Sequence, residues 1–142
     1  MTVAPEITSI RNCSDFLIMV DIHISAKITV AKGHAAQFSS QSNLSAHIKD
    51  SLENYMIPCL LWVRGVIEQT AEILRDGQLK GESYDARHAY ALVASFLETK
   101  NMDLEKIKEG ITEPAVIAGM GLIQGIYIDI IEEMKPMTNK QL

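Results

Sequence analysis

The sequence predicts an α+β domain: an N-terminal β-hairpin with one unusually long strand, followed by a mostly helical bundle. Residues 16–31, FLIMVDIHISAKITVA, carry apolar side chains at all eight even positions from Phe16 to Val30, and strict alternation is the mark of a half-buried strand. Seven of these sixteen residues are β-branched, which favours a pleated surface. From residue 44 onward the apolar spacing lengthens to three and four, the period of an amphipathic helix.

The hairpin begins with an edge strand over residues 6–11, just after Pro5, which is tolerated there because an edge need not donate hydrogen bonds. Arg11 to Asp15 form the loop into the long strand, 16–31. Sixteen extended residues span roughly 50 Å, against a radius of gyration of about 14 Å for a chain this long. No turn signal lies between Asp21 and Lys32 to fold the strand back, and the chain holds too little other strand-like sequence to pair both its edges. The strand is therefore expected to pair across subunits, with Ile22, Ile24 and Ile28 in the interface.

After Gly33 the chain reads as a polar connector to a helix over 44–76, kinked at Pro58, which removes one backbone hydrogen bond. Ile57 and Leu61 fall on its outer side and join the expected interface. Helices follow over 84–99, with Ser83 as its cap, over 103–109, ended by Gly110, and over 113–135. In the last, Ala115 with Gly119 and Gly121 with Gly125 are small residues four apart, suited to close approach by another helix. One domain, 1–142, accounts for the whole sequence, and the oversized strand and apolar last helix point to a homodimer or higher even-numbered oligomer.

A net charge of -5 and a pI near 5.3, with acids scattered along the helices, argue against a nucleic-acid backbone binder. Cys13 and Cys59 make no disulfide framework and suit a reducing cytoplasm. The first residues lack the layout of a signal peptide, and residues 114–131, with only Gln124 and Asp129 strongly polar, are marginal in length as a membrane span and carry that acid near one end. A cytoplasmic protein outside the membrane is expected.

The stretch 118–125, AGMGLIQG, has the glycines of a phosphate loop, but too little chain follows for a second strand and no lysine follows as in a P-loop. The glycine turn at 110 between two helices has the outline of a helix-turn-helix, yet the helix after it offers no early Arg, Lys, Asn or Gln to read bases. Asp21 and His23 share one strand face, but no HxxxH, CxxC or HExxH spacing completes a metal site or general base around them. No catalytic residue, metal or cofactor is assigned. Trp62, Arg64, Tyr84, Arg87 and His88 supply rings that stack and guanidinium groups that clamp anions, which makes them the candidate ligand-binding set.

The leading expectation is a small non-catalytic binding protein acting as a homo-oligomer on a macromolecular partner, of the inhibitor or immunity type found in phage, plasmid or toxin systems. The alternative is a protein that sequesters or senses a small ligand, nucleotide-like or an anionic metabolite, held between subunits. An enzyme using Asp21 and His23 comes third.

Overall fold

The computed structural model describes residues 13–38 and 43–139, and among these there is no strand. The helices are α1 (Cys13–Gln37), α2 (Asn43–Ser51), α3 (Ile57–Leu79), α4 (Ala86–Glu109) and α5 (Pro114–Met134). A π turn, Leu52–Met56, joins α2 to α3, and a 3-10 turn, Lys135–Asn139, follows α5. The α+β expectation is thus corrected to an all-helical bundle; the strand expected over 6–11 lies outside the described residues.

The expected strand 16–31 is the body of α1. Its alternation splits into two rows at four-residue spacing: Phe16, Val20, Ile24 and Ile28 are buried, whereas Ile18, Ile22, Ala26 and Val30 are exposed. Cys13, Leu17, Ala31 and Ala35 extend the buried row at helical steps. A helix satisfies its own backbone hydrogen bonds, while a strand of this length needs partners along both edges. Each β-branched residue costs only a few tenths of a kcal/mol in a helix, far less than the burial of Val20 or Ile24 returns. Asp15 in the first turn and His34 in the last complement the helix dipole.

Cross-helix contacts set the topology. Asp21 meets Arg64 while Cys13 meets Gln78, so α1 and α3 run antiparallel. Glu82 and Tyr84, leading into α4, lie against Gly77, while Lys100 lies over Trp62, so α3 and α4 are antiparallel too. Gln124 bonds Asn101 and Glu105 across the short α4–α5 turn. His23 meets Glu133, and Val30 and Ile126 line one groove, so α5 runs antiparallel to α1 across that groove, while α1 packs directly on α3 and α4. The result is an up-down-up-down four-helix bundle, with Phe16, Ile24, Leu60, Val63, Val93, Leu97 and Ile130 in its core.

The second bundle helix is overlong, because α2 and the π turn prolong α3 upstream. The N–H of Ile57 donates to the carbonyl of Leu52, five residues back, and Pro58 then falls in the first turn of α3, where no N–H is needed. The kink placed at Pro58 is realised as this π turn. The helices expected over 84–99 and 103–109 are one, α4, since no glycine or proline intervenes before Gly110 and Leu104 packs against the core. Its cap is Asp85 rather than Ser83. The Asp85 carboxylate accepts from the N–H groups of Arg87 and His88 at 3.0 and 3.3 Å, and its own N–H donates to His88 Nδ1.

Candidate functional site

A groove of about 480 Å3 runs between α1 and α5 and is closed at one end by the π turn. Its floor is apolar: Ala31, Leu60 and Ile130 are buried beneath it, and Leu52 and Met56 enter from the π turn. That turn sets where Leu52 and Met56 stand, because one extra residue per turn rotates the chain relative to a regular helix. Gly119 of α5 lies so close to the Tyr55 ring that a Cβ there would overlap it. This contact holds α5 against the π turn.

The rim is ionic. His23, Lys27 and His34 recur on one side of α1, and Asp129 and Glu133 are one turn apart on α5. Glu133 is bound from both sides: Oε2 lies 2.6 Å from His23 Nε2, and Oε1 lies 3.3 Å from Lys27 Nζ. The groups are about a third exposed, so solvent screens them and the cluster orients the rim more than it stabilises the fold. His34 and Asp129 remain at the surface on opposite sides of the opening. Among the described residues no three His, Cys, Asp or Glu side chains are grouped to hold a metal ion.

The candidate ligand-binding residues fall into separate neighbourhoods. Trp62 stacks at a tilt on Tyr127, centroids 5.5 Å apart, with the Lys100 ammonium over its ring. Arg64 points to α1 and pairs with Asp21 at 3.4 Å. Arg87 and His88 both serve Asp85 at the start of α4, and Tyr84 donates to Glu82 and packs edge-on against the His88 ring. Tyr84 lies beside Gly77, fifteen residues from Trp62 along α3, or about 22 Å at 1.5 Å per residue. They share no cleft.

The residues expected at an interface divide as well. Ile24 and Ile28 are in the core, Ile57 is half-buried, and Ile22 and Leu61 are exposed. Gly121 and Gly125 face open space on the outer side of α5. With its 3-10 extension, α5 is long and apolar enough to cross a membrane by length and composition, and 28% of its most apolar stretch is buried in the bundle.

The cysteines offer no reactive thiolate. Burial raises the Cys59 thiol to about 11, partly offset by its hydrogen bond with Tyr127, and burial likewise raises the Tyr127 hydroxyl. Burial also raises Cys13, against the hydrogen bond from Gln78. By contrast, Asp85 is pushed up by burial but held down further, to about 2, by hydrogen bonds from Arg87 and from the backbone N–H of His88.

Sequence reading missed Lys27, His34, Leu52, Met56, Asp129 and Glu133. The signal was present: residues 23, 27, 30 and 34 follow helical spacing, as do 126, 129, 130 and 133. Reading 16–31 as a strand separated the first set. No family model matches the chain, and neither the curated proteins nor the solved structures contain a match.

Proposed function

We propose that this is a small non-catalytic binding protein that works as a homo-oligomer and grips a macromolecular partner in the α1/α5 groove, in the manner of inhibitor and immunity proteins of phage, plasmid or toxin systems. The observation that carries the reading is an apolar floor between a basic α1 rim and an acidic α5 rim. Such a trough suits an amphipathic helix whose apolar side fills the floor. An acid on one flank of that helix would face His34, and a base on the other would face Asp129. Met56 adds an adaptable side chain to the wall.

The test is capture from the source cell by tagged wild type, Met56→Arg and the distant control Leu79→Ser, all checked for helicity. A partner held by wild type and the control but lost by Met56→Arg supports the groove. A partner retained by Met56→Arg, or turnover of any substrate by the purified protein, counts against the reading. A groove of about 480 Å3 also falls in the range of small-molecule sites, which favours the sequestering protein as second reading. Extra mass retained per subunit in native mass spectrometry, lost in Met56→Arg, would put that reading first.

A further inference from the structure

The exposed row of α1 is the largest apolar feature the bundle leaves uncovered on that helix: Ile18, Ile22 and Val30 are 56, 64 and 55% exposed, and Ala26 completes the row. Ile18 and Ile22 stand at consecutive turns and Val30 two turns further on, whereas exposed apolar residues on a monomer are ordinarily scattered. The row crosses α1 obliquely. It starts with Ile18 at the lip of a second depression, shared with α3, and ends with Ala26 and Val30 on the wall of the α1/α5 groove.

We infer that a second copy of this chain docks on this row, its α1 antiparallel to the first and the two-fold axis passing between Ile22 and Ala26. Two properties of the row select that occupant. In shape, the axis sets Ile22 of each copy over Ala26 of the other, a large side chain over a small one, and Ile18 over Val30, so the patch complements itself as a two-fold interface requires. In charge, Asp15 at the start of one α1 comes opposite Gly33 of the other, between the exposed Lys32 and His34. Antiparallel helices also bring opposite dipole ends together. A parallel pairing would instead set Asp15 against its own copy and the basic ends against each other.

The arrangement rests on the homo-oligomer part of the proposal above and adds to the groove, because the second copy's Ile18 would lie against Val30 and raise the wall of the opening. Ile22 lines the row but not the groove, and Met56 the groove but not the row, so the two ideas fail separately.

The experiment is sedimentation equilibrium of the full chain from low to high micromolar concentration, for wild type, Ile22→Arg and Met56→Arg. Wild type and Met56→Arg should dimerise alike. Ile22→Arg should keep its helicity and weaken the dimer by about tenfold or more, since it sets an unpaired guanidinium against Ala26. Orientation is read by mixing an Ile22→Cys chain with an Ala26→Cys chain under mild oxidation, where the mixed disulfide should exceed either self-linked product. A wild type that stays monomeric overturns the inference, as does a dimer indifferent to Ile22→Arg or a dominant 22-to-22 cross-link. Loss of partner capture by Met56→Arg with the dimer intact supports both ideas. A dimer with no groove partner retires the groove alone.

Discussion

The two rows of α1 are similar in composition and opposite in fate. Phe16, Val20, Ile24 and Ile28 are at most 5% exposed, while Ile18, Ile22 and Val30, two residues out of step, are more than half exposed. What separates them is position: the first row faces α3, α4 and α5, and the second faces outward. Side-chain hydrophobicity therefore says how much a residue gains from being covered, and the fold says whether anything covers it.

The sharpest way to break this comparison is to truncate one residue in each row. Ile24→Ala should lower stability by about 2–5 kcal/mol in chemical unfolding, because the bundle closes only partly over the cavity. A loss under about 1 kcal/mol would mean that the inner row is not core.

A similar contrast belongs to α5. Gly119→Ala must push the Tyr55 ring aside and should cost about 1–3 kcal/mol. Gly121→Ala, with nothing near its added methyl, should be neutral or stabilise by up to about 1 kcal/mol through helix propensity. Thermal unfolding of the pair reads the difference, and equal effects would remove the distinction between the two faces.

Asp85 qualifies the rule that surface positions matter little, for its effect comes from bonds to the backbone rather than from burial. Asp85→Ala should cost about 1 kcal/mol. Its carboxyl is lower in the folded chain, about 2, than its ordinary value of 3.8. The stabilisation is therefore complete above pH 4 and fades as pH falls toward 2. Asp85→Asn should keep part of the cap and flatten that segment of the pH–stability curve, which equilibrium unfolding at several pH values will show.

The smallest effect is expected in the outer row. At concentrations where the chain is monomeric, Ile22→Ser should change stability by no more than about 0.5 kcal/mol. A larger loss in dilute unfolding experiments would mean that the outer row supports the monomer's own fold.

Much of the helical part was legible locally. The run expected over 44–76 is occupied by α2, the π turn and α3, and Pro58 marked where the regular hydrogen-bond ladder breaks. The apolar character of α5 was plain from composition. At residues 16–31 local reading failed because an alternating pattern contains two i+4 rows, and one of them is enough to face a core. The shortage of strand-like sequence to pair both edges of residues 16–31 itself favours a helix, which satisfies its own backbone hydrogen bonds. The groove was hidden for the same reason: His23, Lys27 and Glu133 meet only when both α1 and α5 are helices.

By itself the sequence determined which side chains gain by leaving water and that the regular backbone is interrupted beside Pro58. These follow from covalent geometry and interactions a few residues long. Only the tertiary structure decided that Ile24 is covered and Ile22 is not, that Gly119 is crowded by Tyr55 while Gly121 is open, and that Arg64 turns to Asp21. Those outcomes depend on which helices become neighbours, and burial is a property of the assembled bundle rather than of any one residue.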